Sequence, residues 1–187
     1  MRTCLQLIPG FRKFVCRLNR ESDQNPRGFS NMLPQKRRVN QKPELFLISD
    51  IFQSTHKVRA YECDFYGHVN NSIYLNYLEF ARMEVLETLD LSLRKLKEQG
   101  VALVIQRIDI SYKFPAVLDD ILQIRTNVKS HTNTVCTFRQ EIFRAADEKL
   151  LAAADVTWVC TNLQGRPIRI PQIMRDALGF PPRGGKK

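Results

Sequence analysis

From residue 101 to residue 161 the apolar side chains recur with a period of two through four consecutive segments. Residues 101–114 open as an apolar run, then set Ile108, Ile110, Tyr112 and Phe114 against Arg107, Asp109, Ser111 and Lys113. Residues 120–130 set Leu122, Ile124, Thr126 and Val128 against Gln123, Arg125, Asn127 and Lys129. Residues 133–144 are rich in Thr, Val, Phe and Ile, and residues 150–161 place Ala152, Ala154, Val156, Trp158 and Cys160 on one face. Successive strand side chains point to opposite faces, so this is the pattern of a sheet with one covered face. The short polar joints "SHTN" and "AADEK" link the last three strands as hairpins.

A covered face needs a cover, and one earlier segment supplies it. In residues 72–89, Ile73, Tyr74, Tyr77, Leu78, Ala81, Val85 and Leu89 recur at helical spacing. Asn71 or Ser72 stands at its N-cap. Residues 56–63 read as a further strand. A short helix closes the chain at 171–178, with Pro171 in its first turn and Gly179 at its end. This order predicts an α+β domain: one curved antiparallel sheet of about five strands around a long central helix. Such a sheet has two open edges, which favour pairing with a second copy.

The chain has 187 residues and a formal net charge of +10, enough length for one domain with a substantial core. The charge sits at the ends. Residues 1–56 carry ten Lys and Arg against four acids, and the tail adds Arg183, Lys186 and Lys187. The remaining body is nearly neutral, which argues against nucleic acid as a partner. Residues 1–43 hold Pro9, Gly10, Pro26, Gly28, Pro34 and Pro43 with no sustained period. They read as a poorly ordered basic extension, followed by a folded domain at 44–180 and a basic tail at 181–187. No apolar run approaches a membrane span. Cys4, Cys16, Cys63, Cys136 and Cys160 are scattered without a C-x-x-C pair. This predicts free thiols in a reducing compartment, no zinc and no cofactor. The cytoplasm is the expected location. The alternative is an organelle matrix, if residues 1–31 are a transit peptide, because residues 1–20 hold five Arg and Lys and no acid. The plainer readings are an extension with no targeting role, or an upstream start codon with Met32 as the true start.

Just before the long helix lies an unusual concentration of polar groups, "ECDFYGHVNNSIYLNYLEFAR" at 62–82. With its flank, "VRAYECDFYGHVNNSIYLNYLEFAR" and the later "YKFPAVLDD" resemble the signature of the hot-dog-fold thioesterases, in the 4-hydroxybenzoyl-CoA thioesterase-like branch. The chain is similar to the bacterial long-chain acyl-CoA thioesterases within it. The resemblance runs from Lys57 to Thr161. It implies a five-stranded sheet around a central helix, and homodimers or homotetramers with sites at the subunit interface. It also implies hydrolysis of a fatty acyl-CoA to free fatty acid and coenzyme A. Hydrolysis of an acyl-carrier-protein thioester is the alternative, and a non-catalytic acyl-thioester binder the third reading.

Thioester hydrolysis needs an activated water or a carboxylate nucleophile, and donors for the carbonyl oxygen. A carboxylate beside a helix N-terminus, with its free N–H groups and dipole, supplies both. The family's catalytic aspartate maps onto Asp64, as general base or as nucleophile; the bland reading is that Asp64 only caps its turn. In the plant acyl-carrier-protein thioesterases, which share "HVNN", an asparagine and a histidine follow that aspartate. Here those positions are Tyr66 and His68, so the histidine matches and the asparagine does not. His68 is either catalytic or a brace of the loop. Glu79 either pairs with Arg82 one helical turn on or faces a neighbouring subunit's site, as the third catalytic candidate. Tyr66, Gly67 and Asn71 are the candidate substrate-binding residues. Gly67 permits a close backbone approach, Tyr66 lines the acyl channel, and Asn70 and Asn71 also suit a turn and cap.

Overall fold

A computed structural model describes residues 51–181; the 43/44 boundary and residues 182–187 of the basic tail lie outside the described residues. The sheet is built from β1 (Phe52–Lys57), β2 (Val101–Tyr112), β3 (Ile121–His131), β4 (Val135–Arg144) and β5 (Lys149–Asn162). All pairs are antiparallel, in the order β1-β3-β4-β5-β2. Helix α1 (Ile73–Thr88) covers one face, lying over β1 and β3. Two short helices, α2 (Leu93–Glu98) and α3 (Gln172–Ala177), close the far end. Among the described residues no helix is long and apolar enough to cross a membrane, and Cys63, Cys136 and Cys160 are free thiols.

The alternation places the core as expected in β3 and β5, whereas in β2 Ile108 and Ile110 are half-buried and Tyr112 is exposed. Leu122, Ile124, Thr126 and Val128 of β3 are buried, as are all five expected residues of β5. On α1, Tyr74, Tyr77, Leu78, Ala81 and Val85 are buried, joined by Leu86 and, against expectation, Arg82. The core has two lobes. One gathers around Tyr74, Leu78 and Ile142; the other gathers around Trp158, Leu96 and Met174 from the two short helices and β5.

Three local expectations are corrected. The first strand is Phe52–Lys57, not 56–63. Its inward residues include Ser54 and the half-buried His56, so it shows no apolar alternation, while residues 60–62 form a 3-10 turn. Helix α2 was not expected; its N-cap Ser92 accepts from Lys95 N–H, and Leu96 is buried. In β2 the alternation breaks at Gln106, where the register with β5 slips between Ile105 and Arg107. The extra residue of this β-bulge turns Ile105 and Leu103, rather than Val104, toward the face shared with Ile108 and Ile110.

β2 and β3 do not pair, so residues 113–120 must cross from one edge of the sheet to the far side. This crossover, "KFPAVLDD", passes the start of α1 and is pinned there. Ala116 N–H donates to Tyr74 Oη (2.9 Å). Val117 N–H and Arg144 Nε donate to Asp120 Oδ2 (both 3.0 Å), and Arg144 Nη2 donates to Pro115 O (2.9 Å).

Candidate active site

The loop between β1 and α1 is held by backbone bonds to that crossover. Val69 N–H donates to Ala116 O (2.9 Å), and Asn70 N–H to Glu62 O (3.0 Å). His68 bridges Val117, and Cys63 bridges Val69. Within this frame residues 64–68 close on themselves. Asp64 N–H donates to His68 O (2.8 Å) and Gly67 N–H to Asp64 O (3.0 Å). Gly67 has φ +79°, a backbone state that glycine adopts without steric cost.

The Asp64 side chain completes the turn. Its Oδ1 accepts Tyr66 N–H (2.8 Å) and, at 3.4 Å, His68 N–H. Its Oδ2 receives no hydrogen bond among the described residues. One oxygen is therefore fixed and the other available. Asp64 lines a cleft of about 430 Å³ together with His68, Val69, Asn71, Tyr74 and Tyr112. The cleft opens at the start of α1. Ser72 is the N-cap residue, but its side chain does not cap the helix; Asn70 Oδ1 instead accepts Ser72 N–H and Oγ–H (2.9 and 2.8 Å). Asn71 O accepts from Tyr112 Oη (2.9 Å), while Asn71 N–H has no acceptor among the described residues.

The six residues proposed from sequence separate. Asp64, His68 and Asn71 share the cleft. The His68 ring has no partner among the described residues and is exposed. Tyr66 and Gly67 shape the turn but do not wall the cleft, and Tyr66 is 80% exposed beside Phe65 at 97%. Glu79 lines a second, smaller cavity farther along α1. The expected ion pair with Arg82 is not formed: Arg82 turns inward and donates from Nη1 to Gln140 Oε1 (2.9 Å). Local helical spacing favours that pair, but the competing partner lies on β4, out of reach of any sequence rule.

Sequence reasoning also missed Glu62 as a structural member of the site. It is buried and accepts from Arg59 N–H (2.8 Å), His56 Nε2 (3.0 Å) and Tyr77 Oη (2.9 Å). Burial alone would raise this carboxyl; the hydrogen bonds from Arg59, His56 and Tyr77 outweigh it and hold the pKa below the usual carboxylate value. Burial and the Glu62 charge push the Tyr77 phenol upward. Burial likewise raises Tyr74. Both phenols therefore stay protonated near neutral pH. Tyr112, Lys113, Phe114 and Pro115 wall the other side of the cleft; their signal in the sequence was the "YKFP" start of the second motif.

Residues 58–178 match the thioesterase-like superfamily. The long-chain acyl-CoA thioesterase FadM of Escherichia coli is 37% identical over 112 residues, which cover 60% of this chain and 84% of that protein. A chloroplastic acyl-acyl carrier protein thioesterase of Arabidopsis thaliana is 28% identical over 123 residues, covering 66% of this chain and 65% of that protein. Among solved structures, a probable thioesterase from Escherichia coli superposes with TM-score 0.60 at 30% identity, over 69% of this chain and 97% of that one. A 1,4-dihydroxy-2-naphthoyl-CoA thioesterase from Synechocystis shares the fold with TM-score 0.65 at 24% identity, over 69% of this chain and 96% of that one. With one helix cradled in a five-stranded antiparallel sheet and both sequence motifs meeting at the helix start, the chain belongs to the thioesterase-like superfamily and is a hot-dog-fold thioester hydrolase.

Proposed function

We propose that the chain hydrolyses a fatty acyl-CoA to free fatty acid and coenzyme A, with Asp64 as the working carboxylate. The observation that carries this reading is the half-committed Asp64: Oδ1 is locked by the turn, and Oδ2 is unengaged in a cleft at the start of α1. As a general base, Asp64 takes a proton from a water as its oxygen bonds to the thioester carbon. The oxyanion that forms is stabilised by the α1 N-terminus, with Asn71 N–H as the candidate donor. The carbon–sulfur bond then breaks, and the thiolate takes the proton from Asp64. As a nucleophile, Asp64 Oδ2 instead attacks the thioester carbon, the carbon–sulfur bond breaks to expel the coenzyme A thiolate, and water hydrolyses the resulting mixed anhydride to the fatty acid and the free Asp64 carboxylate. His68 lies in the cleft without another commitment, which suits a role beside Asp64.

We further propose a homodimer, or a dimer of dimers. β2 is a twelve-residue edge strand. Its face toward the helix layer keeps Ile105 and Tyr112 more than 40% exposed, and Phe65 and Tyr66 stand out beside the cleft. A second copy would cover these rings and wall the open side of the site.

The test is thiol release from acyl-CoAs of graded length, run beside an acyl-carrier-protein substrate. Faster turnover of acyl-CoA supports the proposal. Faster turnover of the carrier-protein substrate selects the alternative that the Arabidopsis relative's name suggests. Binding without turnover of either selects the non-catalytic reading.

A further inference from the structure

Arg82 is a buried cation with little to hold it there. It is 6% exposed, and no carboxylate among the described residues stands within ion-pair distance. Its hydrogen bond runs from Nη1 to Gln140 Oε1 (2.9 Å). Gln140 is fully buried and is itself fixed, donating to Leu78 O and Thr126 Oγ1 (both 3.0 Å). The guanidinium has five N–H donors, and the others have no acceptor among the described residues. Burial lowers the Arg82 pKa while the nearby Glu79 charge opposes that shift. Taking a cation out of water without a paired anion is costly, so the position calls for an acceptor.

Arg82 borders a cavity of about 90 Å³, room for a few water-sized atoms. Its walls are otherwise apolar, Leu86, Leu103, Ile105 and Phe138 among them, except for Glu79 and Trp158, whose indole Nε1–H is buried without a partner among the described residues. The cavity and the Asp64 cleft are bordered by the same two elements, α1 and β2. Along α1, Arg82 is eight residues past Tyr74, about 12 Å of helix rise. Along β2, Tyr112 belongs to the cleft and Ile105 and Leu103 to the cavity, with the half-buried Ile110 and Ile108 between them.

Building on the acyl-thioesterase reading of the Asp64 cleft, we propose that this cavity receives the far end of the acyl chain and recognises a hydroxyl group there, with Arg82 donating a hydrogen bond to the hydroxyl oxygen and Glu79 accepting one from its O–H. A plain hydrocarbon end leaves the Arg82 donors unsatisfied. A carboxylate end satisfies Arg82 but meets the like charge of Glu79. A hydroxyl both donates and accepts, and so matches the pair.

Trp158 is the sole tryptophan of the chain and lines the cavity, so its emission reports occupancy without turnover. The full-length protein is titrated with free fatty acids of one length: unsubstituted, ω-hydroxy and α,ω-dicarboxylic. Kinetic constants are measured for the matching acyl-CoAs. A hydrogen bond to a charged group predicts about tenfold tighter binding of the ω-hydroxy chain than of the unsubstituted one, and a similar gain in kcat/KM. Arg82→Met, which removes the charge without opening a large hole, brings that ratio to about one. Glu79→Gln independently narrows the gap between hydroxy and dicarboxylic chains. Equal binding across the series, tightest binding of the dicarboxylic acid, a ratio that survives Arg82→Met, an unchanged gap in Glu79→Gln, or flat Trp158 emission with every chain overturns the proposal. A hydroxyl preference in binding by a protein that hydrolyses none of the thioesters upholds this subsite and refutes the acyl-CoA hydrolase reading instead.

Discussion

Tyr74→Phe removes a single oxygen from the centre of the site's support. Tyr74 is 3% exposed, and its Oη accepts the N–H of Ala116, a residue with no exposed surface. The phenylalanine ring keeps the edge contacts with Tyr77 and Tyr112, so no cavity of note opens. What remains is a buried N–H without an acceptor, which costs about 1–3 kcal/mol. Tyr112→Phe is the internal control. Its Oη donates to Asn71 O at 2.9 Å, but the residue is 47% exposed, so water replaces the lost partner and the cost stays below about 1 kcal/mol. Urea unfolding measures both. With the slope unchanged, Tyr74→Phe should lower the midpoint by on the order of 1 M, and Tyr112→Phe by clearly less. The loss should also reach the site, because Ala116 O holds Val69 N–H at the end of the Asp64 loop. A Tyr74→Phe midpoint within error of wild type, or a shift no larger than that of Tyr112→Phe, refutes the claim that this bond anchors the crossover.

Two further outcomes are expected. The Glu62 carboxyl is held below its usual value of 4.5 by three hydrogen bonds, against the upward pull of burial. Its contribution to stability is therefore complete above that value and fades as pH falls through the lowered one. Glu62→Gln should flatten the acid side of the stability–pH curve measured by urea midpoints, and an unchanged slope would count against the assignment. Light scattering should give at least twice the chain mass of 21.7 kDa at micromolar concentration, and a fully active monomer would remove the need for a second copy.

The parts of the fold legible in the sequence are those whose face alternates without interruption. β3 alternates an inward Leu122, Ile124, Thr126 and Val128 with outward polar residues, and β5 sets Ala152, Ala154, Val156, Trp158 and Cys160 on one buried face, so their inward faces were plain. β1 was displaced because its inward Ser54 is polar and His56 is committed to Glu62. Of the apolar residues at 56–63, Ala60 and Tyr61 belong to the 3-10 turn, while Val58 is buried and its backbone bonds to Asp119 and Asp120 of the crossover. The bulge at Gln106 was invisible for a similar reason. An apolar run has no alternation to break, and only pairing with β5 reveals the slip. In the candidate site, Asp64, His68 and Asn71 come to one cleft because one short loop holds them. The Glu79–Arg82 ion pair was wrongly expected, and the Arg82–Gln140 bond missed, because a contact spanning 58 residues leaves no local signature.

The central claim is that Asp64 supplies the carboxylate that drives thioester hydrolysis. Asp64→Asn is the most direct test, because it preserves the Oδ1 acceptor that closes the turn with Tyr66 and His68 and removes the negative charge. General-base help is worth about a hundredfold or more, so kcat for acyl-CoA hydrolysis should fall at least that far. KM should change little, since the cleft walls and the helix start remain. A folded Asp64→Asn protein that releases coenzyme A at close to the wild-type rate contradicts the account and turns attention to Glu79.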